Sequence, residues 1–419
     1  MAAATNEYYV QFTEEMKKDY TILAPNMLPA HFKLICNFMS TYGYHMELLE
    51  NDGPEITELG LRYVHNDACY PAILIIGQFL DALLSGKYDP DKTALIYFQT
   101  GGGCRASNYI SLLRKALAKA GFAHVPVISF SFSNLEKHPG FKLNVKQLLG
   151  LLDAVLYGDL LWLLVNQTKP YEINAGDADA LEAEWIQRLG KSIGADSNLI
   201  MRHSKNIYRQ MISDFAAIPK EERDTVKVGV VGEIYVKYSP LGNNKLLDFL
   251  NKEGAEVTTP GLLDFLTYCS YNGIVDKKFY GRGGLTYWGS KIAYHYLCKK
   301  KRDLIALLEE EGSFDPPCPF EHVVKLNDGY ISNGVKMGEG WLLTSEMLEL
   351  ADSGIKNIVC VQPFGCLPNH VCGKGMMRPI KERNPDINIV AVDYDPGASR
   401  VNQENRLKLM LSTARERLS

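Results

Sequence analysis

Three cysteines stand where the chain could do chemistry: Cys69 in "HNDACYPA", Cys104 in "QTGGGCRASNY" and Cys366 in "QPFGCLPNHVCGKG". Each falls where a strand ends or a helix starts, among Gly, Pro or polar neighbours. The three glycines before Cys104 let the backbone approach a bound group or take positive φ. Amides at a helix start there would stabilise thiolate or sulfide charge. Cys366 has the same setting, after the apolar "NIVCVQ" and a Pro-Phe-Gly bend. Cys69 lies just ahead of Pro71, a residue suited to the first turn of a helix. The separations are long, with 34 residues between Cys69 and Cys104 and 261 between Cys104 and Cys366. This is not the compact spacing that marks a metal motif on sequence alone. Three thiolates gathered from separate loops would suit a [4Fe-4S] cluster with one iron left for another ligand. Tetrahedral sulfur also admits zinc, and packing or a tight turn is the plain alternative.

The chain has nine cysteines, an odd number too sparse for a disulfide-built fold. Cys36, in "FKLICNFM", reads first as a packed helix residue and second as a fourth ligand. Cys372 shares the Cys366 loop and competes for that role. Cys360 sits inside an apolar strand and reads as core, whereas Cys269, Cys298 and Cys318 have no local feature that favours ligation.

Among the other polar residues, Glu233 ends the strand-like "VGVVGE", where a buried carboxylate is costly without a partner. Asn369 and His370 flank Cys366 and are placed to hydrogen-bond a sulfide or a substrate carbonyl. His31 and His65 are weaker candidates. Asp393 and Asp395 in "VDYDPGAS", or Ser399, read as caps of the last helix. "GKG" at Gly373 lacks the Gly-x4-Gly-Lys-Ser/Thr pattern of a phosphate loop, and no complete Gly-x-Gly-x-x-Gly stands at a strand-helix junction. No serine lies in a Gly-x-Ser-x-Gly elbow.

The elements that must position these residues alternate between helix and strand. "PAHFKLICNFMSTYGY" (helix), "HMELLE" (strand), "YPAILIIGQFLDALLSG" (helix), "TALIYFQT" (strand), "NYISLLRKALAKAGF" (helix) and "VPVISFS" (strand) predict a mainly parallel sheet covered by helices. Residues 151–222 read as a helical bridge. After Pro219 and "KEERD", a second such unit follows, with strands at "VKVGVVGEIYV", "AEVTT", "KNIVCVQ" and "NIVAVDYD" and a closing helix from Ser399. The expected fold is therefore α/β, with two Rossmann-like parallel-sheet domains and a helical bridging segment. The N-terminal domain (1–150) carries Cys69 and Cys104, and the C-terminal domain (223–419) carries Glu233 and Cys366. The pattern does not show whether one unit duplicates the other.

The 419 residues are 46% hydrophobic and 22% charged, with a formal charge of -4. That balance argues against a nucleic-acid partner, and "CKKKRD" from Cys298 reads as a solvated helix end. The apolar run Leu148–Val165 is interrupted by Asp153 and Asp159, so a buried helix is expected and no membrane span. No secretory signal stands in the first 20 residues. A cytoplasmic location is expected.

"NDACYPAILIIGQ", "QTGGGCRASNY", "VGVVGEIYVKYSPLGN", "EGWLL" and the segment from "QPFGCLPNHVCGKG" to "VDYDPGASRVNQENR" resemble the 2-hydroxyacyl-CoA dehydratase superfamily. The resemblance is nearest to the C-terminal region of acyl-CoA dehydratase activase-related proteins, and it covers nearly the whole chain. It implies an oxygen-sensitive iron-sulfur protein of anaerobic metabolism with Rossmann-like domains, holding a [4Fe-4S] cluster, single or double-cubane. Carried over by motif, the ligands are Cys69, Cys104 and Cys366, with Cys36 as a further candidate. Glu233, Asn369 and His370 then shape the pocket. The resemblance also implies low-potential electrons for relay or reductive chemistry, an acyl-CoA substrate and a homo- or heterodimer. The long relatives carry an ATP-binding activase domain ahead of this region, which this sequence lacks, so the implied donor is a separate ATP-dependent activase. Two other classes stand beside this one: an assembly or regulatory subunit with a structural metal site, and a metal-free, cofactor-binding α/β enzyme.

Overall fold

The computed structural model describes residues 8–98, 103–130, 136–195 and 204–417. The chain forms two four-stranded, all-parallel sheets. The first holds β1 (Thr21–Ala24), β2 (His45–Leu48), β3 (Thr93–Phe98) and β4 (Val127–Phe130) in the order β2-β1-β3-β4. The second holds β5 (Val226–Gly232), β6 (Ala255–Thr258), β7 (Asn357–Pro363) and β8 (Asn388–Tyr394) in the order β6-β5-β7-β8. The two orders are the same. In each sheet the chain reverses its direction of travel beside the first strand, which makes a crevice beyond the strand ends where such folds bind ligands.

The helices of the first unit are α1 (Met16–Asp19), α2 (Pro29–Ser40), α3 (Pro54–Tyr63), α4 (Tyr70–Leu84) and α5 (Tyr109–Lys119). Proline opens α2, α3 and α4 within their first two positions, where its missing N–H has no helical partner to lose. α6 (Val145–Thr168), α7 (Asp177–Ala195) and α8 (Ser204–Ala216) form the helical segment between the units. Asn144 starts α6 with a reciprocal cap: its side chain accepts from the Gln147 N–H at 3.0 Å, and Gln147 Oε1 accepts from the Asn144 N–H at 2.8 Å. α6 is long and apolar enough to cross a membrane, but 61% of its apolar window is buried in the protein, as a core helix is. Asp159, one of the two residues that interrupt its apolar run, binds His31 at 2.8 Å and accepts from the Leu262 and Leu263 N–H groups, each at 2.8 Å.

The second unit contains α9 (Ile234–Tyr238), α10 (Leu246–Lys252), α11 (Leu262–Tyr280), α12 (Leu285–Glu311), α13 (Phe320–Leu326), α14 (Trp341–Asp352), α15 (Met377–Arg383) and α16 (Arg400–Glu416). A continuous apolar core joins side chains of both sheets, from Leu23 and Leu95 to Val228 and Val359.

Three local expectations are corrected. The strand expected over "VKVGVVGEIYV" ends at Gly232, and Glu233 caps a short helix instead, because its carboxylate accepts from the Val236 N–H at 2.9 Å. "CKKKRD" is no helix end. It lies within α12, the 27-residue arm of a helical hairpin with α11, and Lys301 in it is buried against Asp264 at 2.6 Å. Neither Asp393 nor Asp395 caps α16. Asp393 pairs with Lys374 at 2.7 Å, Asp395 closes a turn onto the Gly397 N–H at 2.7 Å, and Ser399 stands at the cap position without a side-chain bond.

Candidate functional site

Cys69, Cys104 and Cys366 are neighbours in the folded chain. Cys69 is the extended residue that caps α4. Cys104 follows β3 and stands before a tight helical turn, Arg105–Asn108. Cys366 follows β7 and the bend at Gly365. The joint between Cys69 and Cys366 is made by backbone: the Tyr70 N–H donates to the Phe364 carbonyl at 2.9 Å. Gly365 has φ +72°, and a Cβ there would stand 3.0 Å from the Cα of Cys69 and 2.9 Å from the Arg105 guanidinium. Only glycine fits that approach. Arg105 in turn donates to the Asp67 carbonyl, tying the Cys104 turn to the Cys69 loop. The loop at Gly338 closes a further side, since a Cβ on it would meet Pro368 at 2.8 Å and Cys104 Cβ at 3.8 Å.

Sequence reasoning missed Glu339, the second acid of the site. It lies just before α14, is buried, and accepts from the Ile234 N–H at 3.0 Å through Oε1. Burial pushes the Glu233 carboxyl up to about 8; the neighbouring Glu339 charge adds to this, and the Val236 and Tyr235 amides oppose it. Glu339 is raised by burial too. "EGWLL" carried no pairing signal, because 105 residues separate Glu339 from its contact at Ile234.

Two of the three thiols, Cys69 and Cys366, are held neutral by their surroundings. Burial pushes Cys69 up to about 11, although the Tyr109 hydroxyl and the Ala72 amide favour its thiolate. Cys366 is raised well above the ordinary thiol range by burial and by the charges of Glu339 and Glu233. Tyr109 contacts the Cys69 sulfur, and its ring stacks on Tyr97 with centroids 5.7 Å apart. A reactive cysteine nucleophile needs the opposite setting, electropositive and partly exposed. For Cys69 and Cys366 that leaves packing, or ligation to a cationic centre that would itself draw off the protons.

The other expected residues are placed differently. Asn369 is fully buried, and its amide donates to the Val361 carbonyl at 2.6 Å while its oxygen faces Cys360 Sγ at 3.9 Å. It ties the wide helical turn Asn369–Gly373 to β7, so its side chain holds the Cys366 loop in place from beneath. His370 is exposed on the same turn. Cys372 is buried, and its carbonyl accepts from Thr344 Oγ1 at 2.7 Å. Cys36 is buried on α2, where burial and then the Glu47 charge push its thiol up to about 12. No contact recorded for it reaches the three-cysteine group. Cys360 is core, as its strand pattern suggested.

Among the described residues no group of three or more His, Cys, Asp or Glu side chains is gathered to hold a metal ion. The three cysteines are neighbours that act on one another's ionisation without meeting at one point. That donor set, all sulfur and spread over three loops, is of a kind that both zinc and iron-sulfur clusters take. No family model matches the chain, and no curated protein is significantly similar to it.

Proposed function

We propose that the chain is a cytoplasmic iron-sulfur redox protein, related to the 2-hydroxyacyl-CoA dehydratases, in which Cys69, Cys104 and Cys366 hold a [4Fe-4S] cluster. The observation that carries this reading is the convergence of three cysteines from both sheets, each at the start of a helical element. When bound, such a cluster supplies one-electron transfer at a potential that the protein sets through ligation, burial and hydrogen bonds. The chain's own residues do the rest. Tyr109 and the Ala72 amide would favour the Cys69 thiolate. The backbone bond from Tyr70 to Phe364 holds two of the ligand loops together. Glu233 holds its proton near neutral pH and stands ready to exchange it with a bound substrate. Electrons come from a separate protein donor, for which the resemblance suggests an ATP-dependent activase. The substrate class it suggests is an acyl-CoA, which would make the chain a dehydratase-like or reductase-like enzyme component.

The test is anaerobic purification with measurement of iron, acid-labile sulfide and visible absorption before and after dithionite. About four irons per chain and absorption that bleaches on reduction are expected. Cys69→Ser, Cys104→Ser and Cys366→Ser should each lose most of the iron, while Cys298→Ser should keep it. Colourless protein after anaerobic reconstitution would overturn the reading.

A further inference from the structure

One face of α14 is lined with acids inside the protein. Glu346 and Glu349 of α14 and Ser353 at its end follow one another at spacings of three and four residues, and Glu339 stands seven residues ahead of Glu346. Glu346 is 2% exposed and Glu349 6%. Burying a carboxylate is costly unless a cation and hydrogen bonds compensate it. Two lysines face this stripe. Lys237 of α9 donates to Glu346 Oε1 at 2.8 Å, and Lys301 of α12 holds Asp264 of α11 at 2.6 and 2.9 Å. Asp159 of α6, whose charge also reaches Asp264, is taken up by His31 and by the Leu262 and Leu263 amides. Three buried carboxyls, Asp264, Glu346 and Glu349, therefore share two ammonium groups. The two ion pairs are complete without Glu349, so its burial serves no pairing.

The surplus acid shows in the oxygens. Among the described residues, Glu346 Oε2, Glu349 Oε2 and the Ser345 hydroxyl are buried without a hydrogen-bond partner. Ser345 precedes Glu349 by one turn, so the two side chains share a face. Carboxylate oxygens only accept, and a proton on one of them supplies the donor that a neighbouring oxygen needs. Glu349 is where that proton rests. Burial pushes its carboxyl up to about 8 against Lys301 and the Cys318 amide, and the charges of Asp264 and Glu346 add to the rise. The stripe has two ends. At one, Glu349 meets the Cys318 amide, and the partly exposed Cys318 sulfur lies 3.3 Å from the hydroxyl of Ser353, which is exposed. At the other, Lys237 acts on Glu346, Glu339 and Glu233 alike, and the charge of Glu339 reaches Glu346. Acids thus run from water to the cysteine site through the body of the second unit.

We propose that this stripe is a proton relay, which takes protons from water at Cys318 and Ser353 and passes them through Glu349 and Glu346 to Glu339 and Glu233. Each proton that Glu233 gives to a bound substrate leaves a carboxylate behind. A proton from Glu346 restores it by way of Glu339, one from Glu349 restores Glu346, and one from the solvent buffer restores Glu349. Only O–H bonds break and form, and the charge of the stripe returns to its starting value. Lys237 and Lys301 keep their protons and act as positioning residues, fixing Glu346 and Asp264. A substrate seated over the cysteines covers the crevice, and a supply from behind keeps Glu233 protonated while the front is closed. The inference rests on the reading of Glu233 as the proton donor of that site.

The test reads the carboxyl protons themselves. Infrared difference spectra of the full chain, without iron, should show a protonated-carboxyl band that fades as pH rises through about 8. Glu349→Gln keeps the side-chain volume and both lysine pairs, so the variant should fold. It should lose about half of that band, with Glu233 supplying the rest. Cys318→Val, which puts an apolar group at the mouth, should slow deuteration of the Glu349 share about tenfold or more after transfer to D2O. In the iron-loaded chain the midpoint potential should fall with rising pH, by up to about 59 mV per unit for one proton taken up with one electron. Glu349→Gln should cut that slope to about half or less. Asp153→Asn, which removes a buried acid of α6 outside the stripe, should keep the slope. A band that Glu349→Gln leaves intact, or that deuterates as fast in Cys318→Val as in the parent, overturns the relay. So does an iron-loaded chain whose slope is the same in Glu349→Gln and the parent. A chain that takes up no iron but shows both band effects upholds the proton path and sinks the redox reading.

Discussion

The first and second sheets place their strands in the same order, second-first-third-fourth, yet the chain puts different chemistry beyond their ends. After the third strand each unit carries a cysteine, Cys104 in one and Cys366 in the other. After the first strand the units part: β1 leads through Pro25 and Asn26 into α2, while β5 ends at Gly232 and delivers Glu233 into the site. The residue that begins or precedes the last helix before the third strand differs as well. It is Cys69 ahead of α4 in the first unit and Glu339 ahead of α14 in the second. The first unit thus supplies two sulfurs, and the second supplies one sulfur and two buried acids. Strand order explains why ligands gather at the shared edge, and the loops alone decide what those ligands are.

The units also differ in how they bury charge. In the first, Arg114 is buried but Glu136, which it grips at 2.6 and 2.7 Å, is partly exposed. In the second, Lys301–Asp264 and Lys237–Glu346 are buried on both sides, with Glu349 buried nearby. The largest expected effect follows from this. Lys301→Met should cost about 3–5 kcal/mol in urea unfolding, because Asp264 loses its partner inside the core. Arg114→Met should cost less, since water can reach Glu136. Equal losses would erase the distinction between the units.

A second prediction concerns the presentation of Cys69, which depends on α3 crossing α4 closely. A Cβ on Gly77 would stand 2.0 Å from the Ile56 carbonyl oxygen, so Gly77→Ala should cost about 1–3 kcal/mol. It should also lower the iron content by displacing α4. For Cys366 the matching change is Asn369→Ala, which removes the bond to Val361 and should cost about 1–2 kcal/mol. Unchanged thermal stability and iron content in both variants would mean that neither contact positions the cysteines.

The remaining effects are in pH dependence, and they run in opposite directions. Burial alone would raise Glu136, but hydrogen bonds from His138 and Arg114 more than offset it and hold the carboxyl at about 2 against an ordinary 4.5. Its contribution is complete above 4.5 and lost as pH falls from 4.5 toward 2. Glu349 is pushed up to about 8 by burial, with Lys301 opposing. The unfolded chain releases that proton near 4.5 while the folded protein keeps it, so this group lowers stability as pH rises from 4.5 to 8. Glu136→Gln should flatten the acid limb of the stability profile, and Glu349→Gln should flatten the limb between 4.5 and 8. Denaturation midpoints across pH for the two variants and the parent check both signs.

Much of the second unit was legible because its strands are continuous apolar runs bounded by turn residues, as fully buried parallel strands require. β1, with only "TILA", and α3 were too short or too polar for the pattern to show. The hairpin of α11 and α12 was missed for another reason. "LLDFLTYCSYNGIV" and "YWGSKIAYHYLCKKKRDLIALLEEE" mix buried and exposed aromatics, since the hairpin packs along its base and stands free at its tip. Glu233 was noticed for its place after a glycine, but its state depends on Glu339, and nothing local announces a partner across 106 residues.

What the sequence determined by itself was local: the period of each element, the prolines that open helices, and the placing of Cys69, Cys104 and Cys366 at strand ends or helix starts. Those follow from backbone sterics and side-chain periodicity within a few residues. Only the tertiary structure decided that the three cysteines are neighbours, that two glutamates share their site and that Asn369 points back into the fold. Each of these depends on how two sheets pack across one core. Contacts between residues as far apart as Cys69 and Gly365 are set by the summed burial of the whole chain, which no short stretch of it encodes.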